Sequence, residues 1–528
     1  MSSSGSKENI SKKGVEDVSS ATPSILKGSQ VPSNGDEARL AQAGYTQELD
    51  RTFSLPSLIA LSLCLMATWE ALSGVVSAAL TSGGAPCLFY NYVLSFLCAI
   101  AISSSLGEIA SIYPTAVSSG LSSSIPLIPF FTSRKALLTN LFVFPKGGQY
   151  YWVAALAPVS SRRVASYATG WISLGAQIIF TTSACFAAGL QLQALIILNN
   201  PSYVPERWHA MLLVWAVLAY SAAVNIYGPK LLPHLNLASG IVHIAGFAAV
   251  VVVLGGLCRY DAACHLSEEI PDAARNVPLA MVGSVVVNGV MGLIYCIVFL
   301  FSISDLDSIL STATGFPYIQ LFHDVTRSNI GATLMALVVA VLAMAGIANM
   351  SGATSTSRTM WAFSRDKAIP FDRYFSVVSD KNHIPVRCIL VITAFQMLLG
   401  FIYLGNTTAF NAILSMSIIS MYLSYMLPIA YMLFGGRERL DPHLLGPFKL
   451  GRGLGRALNV VSLVWMTVAI VFSTFPTAMP VTPENMNYSI VVLAGWLLWG
   501  VLYYAFSGRH KYDVPVVGAA VVTSIAVV

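Results

Sequence analysis

Charge is what this chain has least of. Of 528 residues, 29 are Lys or Arg and 24 Asp or Glu, 10% together, against 55% hydrophobic residues. Mean hydropathy is +0.70. Soluble domains carry about 25% charged residues, so a soluble enzyme is excluded as a class. The net charge of +5 is no nucleic-acid signal, because the Lys and Arg lie in loops between apolar runs. The eight cysteines (Cys64, Cys87, Cys98, Cys185, Cys258, Cys264, Cys296, Cys388) sit mostly inside those runs without CxxC spacing. They read as small packing residues, not disulfides or metal ligands. A nucleotide loop, a Ser/His/Asp arrangement and zinc spacing are all missing. Gly451-Arg-Gly-Leu-Gly455 is glycine-rich but lacks the strand context of a dinucleotide site. No enzyme activity, cofactor or metal is expected.

Long apolar runs are plentiful. Eleven, each long enough to cross a bilayer, begin near Ser54, Pro86, Ala165, Trp208, Leu232, Leu279, Ile330, Ile384, Ala409, Leu458 and Tyr488. The expected class is an all-α polytopic membrane protein. Residues 1–52 are Ser/Lys/Glu/Asn-rich without an apolar core. They read as a disordered cytoplasmic tail, not a secretory signal. The membrane domain then spans 53–507, and 508–528 form a C-terminal tail.

Charge distribution tests the number of crossings. With twelve crossings and a cytoplasmic N-terminus, the outside receives only Arg207 and Arg327. The inside receives the tail, Arg134–Arg163, Lys230, Arg275 and everything basic from Arg358 onward, as the positive-inside rule requires. Without a crossing near Asp261, the thirteen Lys and Arg from Arg358 to Lys511 face outward. Yet residues 258–270 reach only about 20 Å as a helix, against a hydrocarbon core of about 30 Å. The inner half of a sixth crossing is present; its outer half is missing.

A second irregularity is Val117–Lys146, which contains Pro126, Pro129, Arg134 and Lys135 and makes no span. Val117-Ser118 can be encoded GTAAGT, Leu138-Thr139 CTAAC and Lys146 AAG. These are the donor, branch-point and acceptor patterns of an in-frame fungal-type intron. The segment reads as a retained intron, with a variable cytoplasmic loop as the alternative.

Two motifs carry a family resemblance. Ser267-Glu-Glu-Ile-Pro-Asp-Ala-Ala-Arg-Asn-Val-Pro-Leu-Ala-Met281 and Ser357-Arg-Thr-Met-Trp-Ala-Phe-Ser-Arg-Asp-Lys-Ala-Ile-Pro370 resemble the two cytoplasmic-face signatures of amino acid permeases. With the Gly107–Pro114 and Gly147–Trp152 stretches, the chain is similar to the amino acid/polyamine/organocation superfamily, in its fungal amino acid/choline branch. The resemblance implies twelve helices in 5+5 inverted repeats. Substrate then sits near the midplane, where helices 1 and 6 are broken. Helix 1 carries Thr68-Trp-Glu-Ala-Leu-Ser-Gly74 at its centre, and helix 6 would carry Tyr260-Asp-Ala-Ala-Cys-His265.

The candidate substrate and proton residues are therefore Trp69, Glu70, Ser73, Gly74, Tyr260, Asp261 and His265. Glu70 reads as a proton carrier or partner for a substrate ammonium, because acids inside membranes are rare and usually functional. Trp69 could close over a cation or simply pack. Asp261 and His265 share a helix face, to bind substrate, relay protons or cap the break. Glu268, Glu269, Pro271, Arg275, Arg358, Arg365 and Asp366 belong to the inner-face signatures, with gate ion pairs weighed against solvated helix ends. Glu108 reads as an inner-end structural residue and His243 as a satisfied packing histidine. Asn406 and Asn487 begin sequons that fall outside. The expected function is a secondary transporter, proton-coupled by resemblance, for amino acids or amines such as GABA or choline. An alkaloid or precursor of a fungal pathway is the narrower alternative. A permease-like sensor, or the inactive product of a faulty gene model, is the alternative of another class. The expected place is the plasma membrane, with both termini cytoplasmic; oligomeric state is not legible.

Overall fold

The structure, a computed structural model, describes residue 63 and residues 66–113, 148–228, 230–257, 273–338, 349–379, 384–439, 448–476, 480–483 and 486–515. The Val117–Lys146 segment and the polar residues 258–272 lie outside the described residues. Among the described residues every regular element is helical, and nine helices are long and apolar enough to cross a membrane. In order, α1 is Thr68–Ile112, α2 Gly148–Leu156, α3 Arg162–Asn199, α4 Arg207–Tyr227 and α5 Leu232–Leu257. After them come α6 Ala273–Ser302, α7 Leu306–Leu310, α8 Pro317–Thr326, α9 Asn329–Ala336 and α10 Asn349–Arg365. The chain then runs through α11 Asp372–Phe375, α12 Val386–Gly405, α13 Thr407–Tyr431, α14 Arg452–Phe472 and α15 Ser489–Tyr503.

The first of these is two helices. A straight helix of 45 residues would be about 68 Å long, twice the hydrocarbon thickness. Its regularity fails at Gly83 (φ −176°, ψ 15°) and Gly84 (φ 69°, ψ −158°), the second a conformation open mainly to glycine. A Cβ on Gly292 of α6 would meet both Tyr92 Oη at 2.0 Å and Thr68 Cγ2 at 3.2 Å. Residues so far apart along α1 reach one glycine only if the chain doubles back at Gly83–Gly84. Gly289 repeats the close approach one turn earlier, its missing Cβ 1.8 Å from the Phe96 ring. Small residues let helices meet at backbone distance in a bilayer, and here they press α6 onto both arms of α1.

The outward faces are apolar. Val460, Val464, Val468 and Val471 of α14, with Val491, Leu498, Trp499 and Leu502 of α15, are exposed. Polar side chains are instead buried: Ser103, Ser104, Ser105, Thr181, Thr182, Gln191 and Asn225. A surface greasier than parts of the interior suits lipid as solvent, and the chain is an integral membrane protein. The described cysteines are free, as expected of packing residues.

Candidate functional site

Helical geometry breaks just ahead of α1. Ala67 donates its N–H to the Leu63 carbonyl at 3.1 Å, then adopts φ 36°, ψ 48°. A non-glycine residue in the left-handed region costs roughly 1–3 kcal/mol and is usually held there for a purpose. The break expected across Thr68–Gly74 thus falls one residue before it, and Thr68 onward is helical. Trp69 and Glu70 follow immediately, both wholly buried.

Around Glu70 the fold collects polar groups from two further helices. His243 of α5 brings Nδ1 to 2.6 Å from Glu70 Oε1, and the Trp69 indole N–H points at the same Nδ1 from 3.3 Å. On the far side of the ring, His243 Nε2 lies 3.1 Å from Asn288 Oδ1 of α6. Asn288 in turn donates Nδ2–H to the Leu63 carbonyl at 3.2 Å. Ser73 Oγ donates to the Trp69 carbonyl at 2.9 Å and sits 2.7 Å from Tyr295 Oη. Tyr295, Phe247 and His243 surround the Trp69 ring, with centroids 5.7, 5.8 and 6.0 Å away. Gly74 faces Gln191 of α3; a Cβ there would lie 3.6 Å from Nε2. Among the described residues, Glu70 Oε2 is buried and has no hydrogen-bond partner. An acid with one oxygen committed and one open can take a further cation or donor.

Trp69, Glu70, Ser73 and Gly74 are therefore on one buried arm of α1. Tyr260, Asp261, His265, Glu268, Glu269 and Pro271 lie outside the described residues, while Arg275 falls on the first turn of α6. His243 is buried and satisfied, as read from the sequence, and the structure adds that its direct partner is Glu70. Asn288 and Tyr295 were missed altogether. One signal was available, since His243 is the lone titratable side chain between His234 and Leu257.

The signature residues and the charged residues near them form separate clusters. Asp366 accepts from the Tyr150 hydroxyl at 2.8 Å and lies 3.7 Å from Arg365, which rests over the Trp361 ring at 5.0 Å. Arg358 is on α10 two turns earlier. The Lys367 ammonium donates to Asp513 at 2.6 Å, and this hydrogen bond raises its pKa. Glu108, 2% exposed, is gripped by both Nη atoms of Arg437 and by the Leu450 N–H at 3.1 Å. Arg437 reaches it because the chain after α13 turns at Phe434 and Gly435 (φ 108°). Asn406 is exposed at the end of α12. Asn487 donates Nδ2 to the Ser473 and Phe475 carbonyls at 2.8 and 3.3 Å, the hydrogens a glycan would compete for.

A polytopic helical protein with a buried acid at a helix break is built as a membrane transporter. A family model described as amino acid permease matches residues 114–259 and 245–496, and the chain belongs to that family. An amino acid/polyamine transporter of Macrophomina phaseolina is 31% identical over 474 residues, covering 82% of this chain and 96% of that one. The choline transporter of Saccharomyces cerevisiae is 26% identical over 503 residues, covering 88% and 83%. The swainsonine transporter of Arthroderma benhamiae is 25% identical over 506 residues, covering 89% and 93%. Transport is this chain's function.

Proposed function

We propose that the chain is a proton-coupled secondary transporter of small amines, whether amino acids or related solutes such as GABA or choline. It works by alternating access around helices 1 and 6. The supporting observation is Glu70: a fully buried carboxyl directly after a left-handed helix break, with Oε2 unpartnered among the described residues and Trp69 beside it. An ammonium group suits that oxygen, and an indole face suits the same cation. Relatives named for amino acids, polyamines and choline favour the same chemistry. An alkaloid substrate is the second reading, favoured by the swainsonine relative. A plasma-membrane place and cytoplasmic termini belong to this proposal, the latter resting on charge distribution.

The test is uptake of radiolabelled amino acids, GABA, choline and polyamines in permease-deficient yeast, with this chain and with one lacking Val117–Lys146. Accumulation of at least one solute is expected. Glu70→Gln should abolish accumulation against a gradient while sparing exchange. Failure of both chains across the panel sinks the proposal; unchanged accumulation in Glu70→Gln removes Glu70 from the coupling role.

A further inference from the structure

The hydrogen positions around His243 follow from its partners, and they single out one proton. Asn288 donates its Nδ2–H to the Leu63 carbonyl, which can only accept. Its Oδ1 therefore faces His243 Nε2 at 3.1 Å. An amide oxygen cannot donate, so Nε2 must carry a hydrogen. That leaves Nδ1 as the ring's variable position, and Nδ1 faces Glu70 Oε1 at 2.6 Å.

Two lone pairs do not meet at that distance, so a proton lies between them. It sits on the imidazole with an anionic Glu70, or on Glu70 with a neutral imidazole; the pair is electrically neutral either way. We propose that His243 and Glu70 together hold the transported proton on the Nδ1···Oε1 line, with Asn288 locking the ring so that no other atom can take it. The inference rests on the proton-coupled reading above and names the residues that carry the coupling.

The geometry also says what happens when the proton leaves. A neutral imidazole and a carboxylate repel at 2.6 Å, so Oε1 withdraws from Nδ1. The Trp69 indole N–H, already 3.3 Å away, is placed to satisfy the bared lone pair. Glu70 is then a free carboxylate one helical turn past Ala67, the form that awaits both proton and solute. With solute on Oε2 and a proton on Nδ1, imidazolium and ammonium flank one carboxylate, and proton and solute travel together.

The lock reaches across the helix break. Leu63 precedes Ala67 and Glu70 follows it, yet both are tied to one histidine, Leu63 through Asn288 and Glu70 directly. A shift of Leu63 against α6 breaks the Leu63–Asn288 bond, frees the amide to turn, and changes the hold on the proton. Among the described residues, Tyr295 of α6 is a further titratable side chain beside this group; its hydroxyl sits 2.7 Å from Ser73 Oγ and makes no bond to Nδ1 or Oε1.

The experiment uses the full chain in yeast, with radiolabelled choline or GABA, whichever the wild type accumulates, at external pH from about 5 to 8. His243→Gln keeps a hydrogen-bonding side chain but cannot titrate there. It should lose pH-gradient-driven accumulation by about tenfold or more and flatten the pH profile, while solute exchange persists. A merely structural histidine would lower exchange and accumulation together and leave the profile's shape unchanged, and that result overturns the assignment. Asn288→Asp places an anion at Nε2 and should move the uptake midpoint to higher pH by roughly one unit or more. Should His243→Gln fail to reach the membrane, Asn288→Asp decides: an unmoved midpoint overturns the proposal. Wild-type uptake indifferent to the pH gradient would instead remove the proton-coupled reading itself.

Discussion

Replacing Arg437 with methionine while Glu108 stays leaves a carboxylate that is 2% exposed without its cation. The native arrangement is a fork, both guanidinium Nη atoms on the two carboxylate oxygens, with Nη1 also donating to the Gly451 carbonyl at 2.8 Å. Removing one member of a buried ion pair costs about 3–5 kcal/mol, mostly the expense of a buried unpaired charge. The Arg437 side chain is itself 9% exposed, which favours the lower end of that range. Adding Glu108→Gln to Arg437→Met removes the stranded charge, and the glutamine oxygen still accepts the Leu450 N–H. The double variant should therefore lose only about 1 kcal/mol, the net value of an ordinary hydrogen bond. The second substitution thus restores about 2–3 kcal/mol, near a hundredfold in the folded-to-unfolded ratio. Heating detergent-solubilised fluorescent fusions and measuring the surviving monodisperse fraction by size exclusion ranks the three proteins. If the double variant is no more stable than Arg437→Met alone, the fork is not what anchors the turn after α13 to α1.

Gly189→Ala should destabilise by about 1–3 kcal/mol through overpacking. The new Cβ would lie 2.4 Å from Val214 Cγ2 and 3.0 Å from the Val214 backbone nitrogen, and backbone cannot yield as a side-chain end can. The same heating assay checks it, and wild-type stability would refute the contact between α3 and α4. Tyr512 tests the stretch after the last span: it is 1% exposed, its hydroxyl sits 2.8 Å from Ser166 Oγ, and its carbonyl accepts from Arg163 at 2.7 Å. Tyr512→Phe should cost about 1 kcal/mol and Tyr512→Ala about 3–5 kcal/mol. Equal, negligible effects would mean the segment is not docked.

The structural role of Glu108 was legible in the sequence because an acid at the end of an apolar run has few alternatives. Its partner was not legible, since Arg437, Arg439, Arg452 and Arg456 are all basic residues of the same stretch. Geometry chose Arg437 through the left-handed turn at Gly435. His243 shows the opposite failure: one histidine on an apolar helix reads as packing until the opposing helix is known. The same limit hid Asn288, an ordinary amide in a run of apolar residues.

Hydropathy is a property of each residue against its solvent, so the linear order of the chain was enough to establish a helical membrane protein. It also located most spans and the intramembrane acid Glu70 in the first of them, while the break beside it was implied by the family resemblance. Hydrogen-bond partnership is a property of pairs, and Glu70 and His243 are 173 positions apart while Leu63 and Asn288 are 225 apart. Only the tertiary structure brings them together. The fold at Gly83–Gly84 and the close approach at Gly289 and Gly292 seat α6 against α1, and α5 brings His243 to the same place. The sequence of residues thus decided that Glu70 would be buried. The packing of three helices decided what its proton is shared with.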